Sequence, residues 1–219
     1  MGVPVLILGE SGSGKTYSIK NMDPEKTGVM LCEKNRLPFR KAFVTYKVKP
    51  REGQVNGKTV QLSQAEIITA ILKQSKSKSI VIDDSQYILA NEFFDRAKEV
   101  GYQKFVDIGV HFRDLIHTVN NDLDDDVIVY FLHHPETDPN TGKVKAKTIG
   151  RMLDEKLTIE GCFDIVLRAQ TNGKEHWFST QSDGFDTVKS PEDMFPEKIP
   201  NDLAYVDKNV REYYGIEVT

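Results

Sequence analysis

Eight residues near the start of the chain, Gly9-Glu10-Ser11-Gly12-Ser13-Gly14-Lys15-Thr16, fit the pattern G-x-x-x-x-G-K-[ST] at every position. The pattern constrains the fold because it works only between a strand and a helix. Val5-Leu6-Ile7-Leu8 ahead of it reads as a buried strand, and Gly14 to Asn21 reads as the first helix. In that setting the glycines let main-chain N–H groups turn inward around phosphate oxygens, and the helix N-terminus adds its positive end. Lys15 is then placed to reach the outer phosphates, and the Thr16 hydroxyl to ligate a divalent cation. With Tyr17, the expected nucleotide-binding segment runs from Gly9 to Tyr17.

The rest of the chain repeats the same alternation. Short runs rich in Val and Ile (Val3–Leu8, Val29–Cys32, Ser79–Ile82, Val127–Leu132, Asp164–Ala169) are separated by helix-compatible segments. Continuous rather than alternating apolar runs imply strands covered on both faces, hence an α/β fold with a mostly parallel sheet between two helical layers. Helices are expected over Ser63–Gln74, with Ser63 and Glu66 as a capping box, and over Ile88–Val100, Phe105–Val119 and Leu203–Tyr214. Pro50, Gly53 and Asn56-Gly57 place a hairpin or long loop in Lys47–Leu62. Asn172-Gly173 predicts a second hairpin, making an antiparallel C-terminal edge. At 219 residues this is read as a single domain, 1–219.

Composition excludes several classes. Lys and Arg total 29 against 33 Asp and Glu, a net charge of −4, so there is no general basic coat for nucleic acid and any contact must be a local patch. Two cysteines, Cys32 and Cys162, cannot build a disulfide framework, and no Cys/His set has zinc spacing. No apolar run approaches the about 20 residues a membrane helix needs, and no signal peptide is recognisable, so a cytoplasmic protein is expected.

A phosphate loop needs a carboxylate at the end of a buried strand to complete the metal shell, and Ser79-Ile80-Val81-Ile82-Asp83 supplies it in Asp83. Asp84 is either a second acid of that site or a turn residue. Hydrolysis further needs a group to orient or deprotonate water; Asp84 and Glu33, which ends the Val29–Cys32 strand, are the candidates. Ligands of open α/β sheets sit beyond the carboxyl ends of strands, where Glu33, Asp83 and His133 all fall. His133 is a candidate sensor of the terminal phosphate, against a hydrogen-bonded sheet-end histidine; His134 reads as structural.

These motifs in this order resemble the RecA-core branch of P-loop ATPases. There a glutamate ends the strand after the P-loop helix, an aspartate ends the Walker B strand, and a polar residue ends the next. Here these are Glu33 in VMLCEKN, Asp83 in IVIDDSQ and His133 in YFLHHPE, the last in place of the usual glutamine. Over nearly all 219 residues the chain is also similar to short phage-encoded AAA-type nucleotide-binding proteins that accompany single-strand annealing and recombination genes. YQKFVDIGVHFRDLIHTV, VIVYFLHHPE, KVKAKTIGRML, FDIVLRAQ and DLAYVDKNVREYYG carry that likeness. The resemblance implies ATP and Mg²⁺ as cofactors, an oligomeric RecA-like ATPase core acting on single-stranded DNA, phage recombination or single-strand-binding proteins as partners, and the host cytoplasm as location.

One basic stretch carries no acid from Asn140 to Arg151 and holds Lys143, Lys145, Lys147 and Arg151. It reads as a solvated loop, as a cation acting in trans on a neighbour's nucleotide, or as a phosphate-backbone contact to single-stranded DNA. Lys47, Lys49 and Arg51 beside Tyr46 form a second patch. Two other classes fit the P-loop: a nucleotide-type small-molecule kinase, and a nucleotide-gated interaction module with little turnover. Against a kinase, the first arginine after Thr16 is Arg36.

Overall fold

The computed structural model describes residues 1–33, 36–55, 57–149 and 158–217. Twelve strands and four α-helices are present among them. The strands are β1 (Val3–Gly9), β2 (Thr27–Leu31), β3 (Val44–Lys47), β4 (Arg51–Val55), β5 (Lys58–Leu62), β6 (Ser79–Asp83), β7 (Ile128–His133), β8 (Pro135–Thr137), β9 (Val144–Ala146), β10 (Ile165–Thr171), β11 (His176–Ser179) and β12 (Lys198–Pro200). The helices are α1 (Gln64–Gln74), α2 (Gln86–Asp95), α3 (Gln103–Asp122) and α4 (Leu203–Tyr214). Eight strands form one sheet in the order β12-β11-β10-β1-β7-β6-β2-β3, parallel from β10 to β3 and antiparallel at β10–β11 and β11–β12. The hairpins β4–β5 and β8–β9 stand apart from it.

Successive residues of a strand face opposite sides, so each apolar run feeds two cores. Leu6, Leu8, Ile80, Ile82, Val129 and Phe131 pack under α1, α2 and α3. Val5, Ile7, Val81, Tyr130 and Leu132 pack under α4 and Ile19. Helices therefore cover both faces. No helix among the described residues is long and apolar enough to cross a membrane.

The segment after the phosphate loop departs from expectation. It is a six-residue 3₁₀ helix, Thr16–Asn21, rather than an α-helix. Ser18 bends it: its N–H is shared between the carbonyls of Gly14 and Lys15, and its hydroxyl donates to the Lys15 carbonyl. Pro24 lies just beyond its end and bars a longer helix. The Asn172-Gly173 turn does join β10 to an antiparallel β11, with Gly173 at φ +87°.

Candidate functional site: a phosphate-loop cleft

Strand register brings the site to one rim. Leu8 on β1 pairs with His133 on β7, and Ile82 on β6 pairs with Phe131, so Gly9, His133 and Asp83 end their strands together. Between β1 and β12 the loop is shaped by three glycines. Gly12 (φ +82°) and Gly14 (φ +97°) hold left-handed conformations that other residues resist. A Cβ on Gly9 would stand 2.5 Å from Ser13 Oγ, and one on Gly14 only 2.4 Å from Asn201 Nδ2.

Lys15 is buried, and its Nζ donates to the carbonyls of Gly9 and, at 3.1 Å, Glu10. Thr16 Oγ1 donates to Asp83 Oδ1 at 2.9 Å, joining the loop to the end of β6. Ser13 Oγ is buried with no hydrogen-bond partner among the described residues. These features fit a phosphate chain with a divalent cation: inward-turning loop, buried ammonium, an orphaned hydroxyl and a hydroxyl–carboxylate pair of hard oxygen donors. No cluster of three metal-ligating side chains exists among the described residues, so an ion held by Thr16 and Asp83 would complete its shell with phosphate and water.

The loop opens into a cleft of about 600 Å³ whose walls include Glu10, Ser11, Tyr17, Arg36, His134 and His176. Tyr17 is half exposed and meets the Phe39 ring edge-on, with centroids 6.2 Å apart. Glu33 is exposed just past β2 and does not line the cleft. Its charge, with those of Asp83 and Asp84, is felt by Cys32, whose thiol is pushed well up by burial first and by these three carboxylates next.

Of the two histidines it is His134, not His133, that lines the cleft. His133 is fully buried and faces away from the cleft. Its Nε2 donates to the Lys147 carbonyl at 2.8 Å, which leaves Nδ1 to accept from Ser85 Oγ at 2.9 Å. It is a hydrogen-bonded sheet-end residue, and burial pulls its pKa down to about 4. His134, next along, lines the cleft, with Nε2 3.3 Å from Asp84 Oδ1. Asp84 does sit in the turn after β6, but it is buried there. It is 1% exposed at φ +59°, a left-handed position that aspartate tolerates better than most side chains.

Sequence reasoning missed His134, His176 and Asn201. His176 Nδ1 donates to the Ser13 carbonyl at 3.0 Å, and Asn201 Nδ2 donates to the Gly14 carbonyl at 3.0 Å. Both come from the antiparallel edge, 163 and 187 residues away in sequence, where no local motif marks them.

The described part of the basic stretch supplies the turn and second strand of the β8–β9 hairpin. Lys143 and Lys147 are exposed, while Lys145 lies 3.4 Å from Glu136; none of the three lines the cleft. Arg151 lies outside the described residues. The hairpin has an aromatic neighbour that the sequence separates from it: Phe185, two-thirds exposed, whose carbonyl accepts from Val144 N at 2.8 Å. Tyr46, Lys47, Lys49 and Arg51 are all exposed on β3 and the start of β4.

Compared with known proteins, the chain matches no family model and no curated protein. The chemistry of the cleft therefore rests on its geometry. It can seat a phosphate chain on N–H groups and Lys15, and a divalent cation on Thr16 and Asp83.

Proposed function

We propose that the chain binds ATP with Mg²⁺ and hydrolyses it, as a RecA-like core protein acting on single-stranded DNA in phage recombination or annealing. The observation that carries the nucleotide part is the Thr16–Asp83 bond beside buried Lys15, on a loop with two left-handed glycines. Bound there, Mg²⁺ would neutralise charge developing on the phosphate oxygens. The chain's own contribution is positional. Loop N–H groups and Lys15 orient the phosphates, the Thr16 hydroxyl and Asp83 carboxylate hold the ion, and His176 and Asn201 fix the loop carbonyls so that the N–H groups need no rearrangement.

The DNA part rests on the resemblance, on exposed Lys143 and Lys147, and on exposed Phe185 beside them, which offers a stacking face to bases. A self-associated ATPase would align these hairpins along one strand. Arg36 on the cleft wall favours a second reading, a kinase of small phosphate acceptors, because it adds a cation near the phosphates.

ATP turnover with and without single-stranded DNA, beside a panel of nucleoside monophosphates, separates these readings. Stimulation by DNA supports the first, and phosphate transfer to a monophosphate the second. Binding is checked by Lys15→Ala. Mg-ATP at a hundredfold excess over Kd should stabilise the parent protein by about 2.7 kcal/mol in thermal unfolding and the variant far less. Equal stabilisation would move the nucleotide site elsewhere.

A further inference from the structure

The cleft wall carries an imidazole, His134, close to a buried carboxylate, Asp84, a pair that neither the motif nor the resemblance assigns. Asp83 and Asp84 are adjacent and both buried, but they face different groups. Asp83 meets Thr16, whereas Asp84, turned by its left-handed backbone, faces the end of β7 and His134. The His134 ring is held on several sides. Its Nε2 lies 3.3 Å from Asp84 Oδ1, the Tyr87 ring stands edge-on to it at 6.5 Å between centroids, and the His134 carbonyl accepts from Lys147 N at 3.0 Å. The imidazole and the Asp84 carboxylate are not hydrogen-bonded to each other, but a carboxylate oxygen 3.3 Å from Nε2 favours, by its charge, the tautomer with the proton there, which leaves the lone pair on Nδ1. Among the described residues Nδ1 has no hydrogen-bond partner, and the side chain, one-fifth exposed, lines the phosphate-loop cleft.

We propose that His134, oriented by Asp84, is the group that positions and deprotonates the water attacking the terminal phosphate. The assignment rests on the ATP-hydrolysis reading and departs from the expectation for Glu33, an exposed acid outside the cleft wall. In the step, the water oxygen bonds to the terminal phosphorus as its proton passes to His134 Nδ1. The bond from phosphorus to the bridging oxygen breaks, and that oxygen leaves with the electron pair on the diphosphate. The proton on His134 then returns to solvent. Asp84 acts through His134 and is a positioning residue.

The test compares the parent protein with His134→Ala, Asp84→Asn, Glu33→Gln and the His134→Ala/Asp84→Asn double variant. ATP and ADP affinities are read by calorimetry and the chemical step by single-turnover hydrolysis. Asparagine also tolerates the left-handed position, so Asp84→Asn should fold. His134→Ala is expected to slow the chemical step by roughly 10²–10⁴-fold with ATP affinity within about threefold. Asp84→Asn should slow it less, and the double variant should be no slower than His134→Ala, because the carboxylate has nothing left to orient. Glu33→Gln should leave the rate within about threefold. Turnover retained by His134→Ala, effects that multiply in the double variant, or a rate loss matched by equal losses of ATP and ADP affinity would each overturn the proposal. A parent protein that binds ATP without turnover, or does not bind it, would overturn the hydrolysis reading itself, an outcome distinct from a parent that turns over alongside an equally active His134→Ala.

Discussion

His133 has a consequence for stability that can be measured directly. Burial is the main reason its pKa falls from 6.5 to about 4, opposed by its bond to the Lys147 carbonyl and helped by the positive charge of Lys15. The folded protein therefore holds it neutral, while the unfolded chain takes up a proton near 6.5. Its contribution to stability is complete above pH 6.5, declines as the pH falls from 6.5 to 4, and is flat below that. Between pH 7 and pH 5 the loss should be about 2 kcal/mol. Denaturant unfolding at the two pH values should show that loss in the parent and not in His133→Gln; an unchanged difference would mean that the imidazole is charged when folded. At this scale the phosphate loop was legible because its residue types and spacing are themselves the mechanism. The two histidines were not. Which of two neighbours is buried depends on what closes over the end of β7, and Ser85 and Lys147 must be in place before either can bond His133.

Among the elements, α4 spans Leu203–Tyr214 as read, and α1, whose start is encoded locally, begins one residue later than its reading. Ser63 Oγ accepts from Glu66 N at 3.2 Å and Glu66 Oε2 accepts from Ser63 N at 2.7 Å, the reciprocal box that the spacing announced. Ser63→Ala should cost about 1 kcal/mol, read as a lower denaturant midpoint with an unchanged slope. A smaller loss would mean that packing alone holds the end, through Gln64, whose Nε2 donates to the carbonyls of Cys32 and Val48 at 2.9 and 2.7 Å. The β4–β5 hairpin, which pairs Arg51–Val55 with Lys58–Leu62, was equally local. By contrast β3 escaped notice: all four of its residues are exposed, and only pairing with β2 makes it a strand. The three-residue strands β8, β9 and β12 are too short to show a period. The helix expected over Ile88–Val100 instead spans Gln86–Asp95, because Arg96 turns to bind Glu92, Glu99 and Asp107 rather than continue the coil.

For the whole molecule, the parallel sheet with helices on both faces was legible from apolar runs that alternate between Leu6-type and Ile7-type positions. The order of its strands was not, because β1 pairs with β7 and β10, partners more than a hundred residues away. A net charge of −4 makes any DNA affinity depend on local patches. Replacing Lys143 and Lys147 with Ala should weaken single-strand binding, and each lost phosphate contact should make the slope of log K against log salt shallower by about 0.7. Unchanged slopes would point to Lys47, Lys49 and Arg51 instead. The brace on the phosphate loop also sets an order of events in the cell. The carbonyls of Ser13 and Gly14 are tied to His176 and Asn201, so the loop waits for residues made 163 and 187 positions later. At about 5–20 residues per second the interval is roughly 10–40 s. Through it the nascent chain carries the complete motif without its backing, and tight nucleotide binding should begin only once His176 and Asn201 have been made.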